Sequence, residues 1–105
     1  MKTAGIVEER EKIIPEHMVY TDDDHTVFTA EIILNDVAKE NIVLRMRDDS
    51  FYLTAPTEHT IYTMSHGICH PVDPSKAKAA FENGILRLDA PFKKPLKPLV
   101  EIRVE

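Results

Sequence analysis

Apolar and polar residues alternate through the middle of the chain with a period of two, not the 3.6 of a helix. In "HTVFTAEIIL", Phe28, Ala30, Ile32 and Leu34 fall on one face, with Thr29 and Glu31 on the other. In "NIVLRMR", Ile42, Leu44 and Met46 oppose Val43, Arg45 and Arg47. In "SFYLTA", Phe51 and Leu53 oppose Tyr52 and Thr54, and in "ILRLDA", Leu86, Leu88 and Ala90 oppose Arg87 and Asp89. Each run predicts a half-buried strand, because successive side chains of a strand point to opposite faces of its sheet. Turn-forming residues separate the runs: "TDDD" at 21–24, "NDVAKEN" at 35–41, "RDDS" at 47–50, and the Asn83-Gly84 pair. Asn-Gly is the strongest of these signals, since both residues tolerate the positive φ of a type I′ hairpin turn. Many short strands joined by turns predict an all-β, antiparallel β-sandwich.

Two stretches carry a competing helical pattern. "VEEREKII" (7–14) holds good helix formers and reads as a short amphipathic arm ending before Pro15. "DPSKAKAAF" (73–81) has Asp73 as a candidate cap and Pro74 at the first helical position. An Asn-Gly turn follows it at once, so 77–81 is predicted to be a short strand after a turn. The closing segment "PFKKPLKPLVEIRVE" contains Pro91, Pro95 and Pro98, which keep it extended and unsuited to a central strand. The chain thus divides into an arm (1–16), a sandwich (17–92) and a tail (93–105).

Composition narrows the function. A length of 105 residues suits one domain. The net charge of -5 argues against a nucleic-acid partner, which requires a concentrated basic face. No apolar run approaches the length of a membrane span, and "MKTAGIVEEREKII" lacks the uninterrupted apolar segment of a secretory leader. The single cysteine, Cys69, has no internal partner for a disulfide, so a reducing cytoplasm is the expected compartment. Glycines occur only at Gly5, Gly67 and Gly84, so neither a P-loop nor a dinucleotide fingerprint can be written from the chain. No cofactor is expected.

The residues that draw the eye as chemistry are His66, Cys69 and His70 in "HGICH", with His59 nearby. On one straight strand His66 and His70 would stand about 13 Å apart, while a metal ion needs its ligands within about 4 Å of one another. Cys69 would face the opposite way, which also spoils a Cys-His dyad. No serine stands in a nucleophile elbow, and the carboxylates cluster in turns. Neither a metal site nor an enzyme is expected.

The tail is the more informative candidate. In "LVEIRVE", Val100, Ile102 and Val104 alternate with Glu101 and Arg103. Two readings stand: a last strand of the sheet, or a peptide that adds to a sheet edge and fills pockets with alternate side chains. Extended chain from Phe92 to Ile102 spans up to about 33 Å, enough to reach an edge of its own body or of a neighbour. A receiving groove follows from parity, with Leu44 and Met46 on one edge strand and Ala79 and Phe81 on another. The alternative is that these four residues are simply core.

At this point the chain resembles the small heat-shock proteins and their α-crystallin domain. The family hallmark, A-x-x-x-N-G-V/I-L before a strand and a proline, reads here Ala79-Ala-Phe-Glu-Asn83-Gly84-Ile85-Leu86, continuing to Pro91. "HPVDPSKAKA" resembles the turn after the family's seventh strand. "EIILNDVAKENIVLRMRDD" resembles its third and fourth strands, and Ile102-Arg103-Val104 its I-x-I/V tail motif. The resemblance spans roughly residues 17 to 104. It implies an immunoglobulin-like sandwich in which the groove between the family's fourth and eighth strands, here at Leu44, Met46, Ala79 and Phe81, receives Ile102 and Val104 of another subunit. It implies an ATP-independent chaperone that holds partly unfolded clients and assembles into homodimers or larger homo-oligomers.

The chain departs from the family pattern in three places. Its arm is about sixteen residues, with Ile6, Val7, Ile13 and Ile14 as apolar content. Between "FYLTAP" and "HTIYTMSH" almost nothing remains of the loop whose strand many microbial members exchange to form dimers. Met64 replaces a frequent arginine, and His66 stands where an aromatic residue is usual. The first two departures suit a second class, an adaptor or co-chaperone resembling the p23/CS domain, which docks on a partner without holding clients.

Overall fold

The computed structural model describes residues 10–94 and 96–105. Over the described residues the fold is an all-β sandwich of two four-stranded sheets. Its strands are β1 (Glu11–Ile13), β2 (His17–Thr21), β3 (Val27–Ile33), β4 (Val43–Arg47), β5 (Ser50–Pro56), β6 (Thr60–Gly67), β7 (Lys78–Glu82) and β8 (Ile85–Pro91). One sheet runs β1-β6-β5-β4, the other β2-β3-β8-β7. All pairings are antiparallel except β1 with β6, which is parallel.

The period-two faces meet between the sheets. Phe28, Ala30, Ile32 and Leu34 face Phe51, Leu53 and Ala55 across the core, with Leu86, Leu88 and Ala90 beside them and Met64, Ile68 and Val72 completing it. Burial of these faces fixes the register, since a slip of one residue would turn each apolar set out to water. The opposite faces are solvated, with one exception. Thr29 points away from the core yet is buried, and its hydroxyl donates to Asp89 Oδ1 at 2.7 Å. Asp89 also takes Arg87 Nε at 3.1 Å, and Tyr20 donates to Glu31 Oε2 at 2.7 Å. A polar network therefore crosses β2, β3 and β8 on that sheet's outer face.

Turns lie where the sequence places them. Asp22 accepts the amides of Thr26 and Val27 at 2.6 and 2.9 Å and the Thr26 hydroxyl at 2.6 Å, closing the β2–β3 turn. Asn83 (φ 53°) and Gly84 (φ 78°) form the β7–β8 turn, as type I′ geometry requires. Asp73 caps a single 3-10 turn over Pro74–Lys76, and β7 begins at Lys78, so the helical signal of 73–81 resolves into one turn and a strand. The helical reading of 7–14 is corrected over its described part, where Glu11–Ile13 is a strand on the edge of β6. Helix propensity alone is a weak guide for so short a piece, and the open edge of β6 supplies backbone partners that water would otherwise provide. Ile6 and Val7 lie outside the described residues.

Candidate functional site

The element order leaves β4 and β7 as outer strands of their sheets, both on the same side of the sandwich. Between them runs a groove of about 440 Å³. Ile42 and Leu44 wall it on the β4 side and Ala79, Ala80, Phe81 and Glu82 on the β7 side, with Lys39 and Leu86 completing the lining. Leu86 is buried and joins the groove to the core. Parity in the sequence anticipated Leu44, Ala79 and Phe81. It also placed Met46 here, but Met46 sits further along β4 opposite Phe51, packed on the core and outside the lining. Lys39, Ile42, Ala80, Glu82 and Leu86 were not anticipated as lining.

The Asn83-Gly84 turn positions one wall of this groove. The Gly84 carbonyl accepts the amide of Leu34 at 2.8 Å, tying the tip of the β7–β8 hairpin to the point where the chain leaves β3 for β4. The left-handed turn thus fixes where β7 stands relative to the connection that delivers β4. At the other end of β7, Asp73 Oδ1 accepts the Ser75 amide at 3.0 Å and its hydroxyl at 2.6 Å, and these bonds hold the Asp73 carboxyl below its ordinary range.

The tail forms no strand over 96–105. Leu99, Val100, Ile102 and Val104 are 77 to 93% exposed, so the motif is not seated in its own groove. The foot of the tail is held firmly. Phe92 donates its amide to Thr26 and bridges to Val72, Lys93 donates its amide to Pro71, and Lys93 Nζ lies 3.3 Å from Asp48. A larger cleft of about 720 Å³ lies at this foot, between His25, His70 and Pro71 and the tail residues Lys93, Lys97 and Leu99. Its walls include the tail itself, whereas the β4/β7 groove belongs to the sandwich.

The histidines do not converge. His66 stacks on Phe51 with ring centroids 5.8 Å apart and meets His17 edge-on at 6.0 Å, so it fills an aromatic's place. Its Nδ1 donates to the Gly67 carbonyl at 2.7 Å. β6 ends at Gly67, Cys69 is exposed, and His59 stands on the β5–β6 turn. Among the described residues no group of three or more His, Cys, Asp or Glu side chains is placed to hold a metal ion. Among the described residues no helix is long and apolar enough to cross a membrane.

No protein-family model matches the chain, and no curated protein matches it by sequence. Solved structures do match. Heat shock protein 16.0 from Schizosaccharomyces pombe superposes with a TM-score of 0.70 at 15% identity, covering 89% of this chain and 99% of that one. A small heat-shock protein from Xylella fastidiosa gives 0.68 at 14% identity, covering 89% and 97%. The Del-C4 mutant of hsp14.1 from Sulfolobus gives 0.69 at 17% identity, covering 82% and 81%. The fold is therefore that of the small heat-shock proteins, and at these identities the fold is what is shared.

Proposed function

We propose that the protein belongs to the small heat-shock proteins and acts as an ATP-independent chaperone. In this reading it holds partly unfolded proteins against aggregation, and copies assemble when the tail of one seats Ile102 and Val104 in the β4/β7 groove of another. The observation that carries the reading is the coexistence, in one chain, of an apolar groove between two outer strands and an exposed peptide of matching alternation. An uncovered edge of this kind invites strand pairing, and a peptide with apolar residues at every second position is the form of partner such an edge takes. Seating the two side chains removes about 1.5–3 kcal/mol of apolar exposure each, less what the tail loses in ordering. Leu44, Ala79 and Phe81 receive them, with Met46 at the end of the track. Clients would be met on apolar surface rather than through a cofactor. The lone exposed Cys69 suits a reducing cytoplasm.

The test is Ile102→Ala with Val104→Ala in the full chain, followed by light scattering and by suppression of aggregation of an unfolding client. The expected outcome is a marked fall in assembly mass with an unchanged β circular-dichroism spectrum. An unchanged mass would refute docking.

One observation favours a second reading. Only 57–59 connects β5 to β6, so no strand-exchange loop is present there. An adaptor of the p23/CS kind, binding one partner without holding clients, fits that feature. It predicts a monomer that leaves client aggregation unaffected.

A further inference from the structure

The groove has two walls, and the charges on their outward faces discriminate between them. We propose that the tail of a second copy adds to β4 rather than to β7, antiparallel, with Ile102 across from Leu44, Val104 across from Ile42 and Glu101 across from Arg45. This rests on the docking reading above and fixes its strand, direction and register.

In a strand pair, residues directly opposite share a face, so seating Ile102 and Val104 inward fixes what Glu101, Arg103 and Glu105 meet outside. On β7 the inward positions are Ala79 and Phe81, with Lys78, Ala80 and Glu82 outside. Seated antiparallel there, Glu101 falls across from Glu82; seated parallel, Glu105 does. Either direction sets two carboxylates side by side, which cancels the pairing of the other tail glutamate with Lys78 and leaves β7 with no net charge preference for the tail.

On β4 and the extended residue before it the inward track is Ile42, Leu44 and Met46, with Val43, Arg45 and Arg47 outside, and no ion pair to Arg45 or Arg47 occurs among the described residues. Two of the four possible seatings put Arg103 across from Arg45 and fall away. A parallel seating, with Ile102 across from Ile42, avoids like charges, but it sets Val100 beyond the strand at Glu40 and leaves Met46 bare. The antiparallel seating puts Val100 across from Met46, so three apolar residues meet three, and Glu101 meets a guanidinium that lacks a partner. The occupant is a second copy because the chain's own Ile102 and Val104 stand exposed, clear of the groove.

The test is a charge swap in the full chain, read by the dissociation midpoint on dilution. Arg45→Glu alone and Glu101→Arg alone are each expected to weaken assembly about five-fold per site, the scale of turning an opposite-charge cross-strand pair into a like-charge one. Arg45→Glu combined with Glu101→Arg is expected to restore it. Restoration by Glu105→Arg in place of Glu101→Arg would establish the parallel seating and overturn the proposal. No restoration by either, while Ile102→Ala with Val104→Ala still dissociates the assembly, would overturn the register and leave the docking reading standing. Indifference of assembly to that double alanine variant would overturn both.

Discussion

The two sides of the sandwich handle the same problem in opposite ways. On the β2/β6 side the chain covers the edge of β6 with a strand of its own and ties that strand to the start of β2. β1 adds to β6, Pro15 is buried, the Glu16 carbonyl takes the amide of Ile33 at 2.9 Å, and His17 Nδ1 donates to the Pro15 carbonyl at 2.9 Å. On the β4/β7 side the chain crosses only at the two ends, by the connection from β3 to β4 and by that from β6 to β7, whose Ile68 and Val72 donate their amides to Asp49 and Asp48, and the stretch between is open groove. The covering strand is also different in kind from the proposed docking peptide. All three residues of β1 are exposed, so it satisfies backbone groups without filling the core. The tail offers apolar side chains to a groove that has room for them. A sheet edge needs only a backbone, whereas a groove between two edges needs side chains, and that difference separates a fixed cover from an exchangeable one.

Three measurements separate the two sides, in falling order of effect. Gly84→Ala strikes the open side. At φ 78° an L side chain is strained although there is room for its Cβ, which would lie 3.6 Å from Asn35 Oδ1. A loss of about 1–2 kcal/mol is expected in urea unfolding. It should come with weaker assembly, because the turn that places β7 is disturbed; stability lost with assembly intact would show that β7's placement does not matter to docking. Lys12→Pro strikes the covered side. Breaking a three-residue exposed strand should cost about 1 kcal/mol or less. Amide exchange should rise over Thr60–Tyr62 while the assembly mass stays the same. A large loss of stability would mean that β1 does more than cap an edge.

The smallest effect is acid sensitivity in one turn on each side. Hydrogen bonds from Thr26 and Val27 lower the Asp22 pKa, and those from Ser75 lower that of Asp73. A lowered folded-state pKa means that the stabilisation is fully present above the unfolded value, near 3.8, and is lost as pH falls through the folded one. Neither carboxyl is buried, so solvent screening keeps the contribution small. Carboxyl chemical shifts followed by NMR below pH 5 should show both groups titrating below their unfolded counterparts. Midpoints at the ordinary value would show that the turns do not depend on these bonds.

How much of this was legible in the sequence follows from which faces are buried. β4, β5 and β8 alternate because each turns one face to the core, β3 does so apart from the buried Thr29, and Leu44, Ala79 and Phe81 lie along the groove wall. β1 was not legible, since a fully exposed strand writes no period. Met46 was placed correctly by face but not by position along the strand, which depends on how far the open part of the groove extends. The Thr29–Asp89 contact joins residues sixty apart in sequence, and it exists only because β3 and β8 pair in this register. Lys39 lines the groove through the 3-10 turn at Lys39–Asn41, whose geometry the loop composition did not specify.

The clamped foot of the tail has a metrical consequence. With Phe92 and Lys93 tied to Thr26, Pro71 and Asp48, every copy launches its tail from the same point of its body. If the tip is then gripped by a neighbour, the gap between the two bodies is a matter of chain length and not of surface fit. Proline at 98 stiffens that span toward an extended form. Each residue inserted or removed between the foot and the motif should then move a neighbour by about 3 Å, so the sequence sets the spacing of the array as the length of a spoke sets the radius of a wheel.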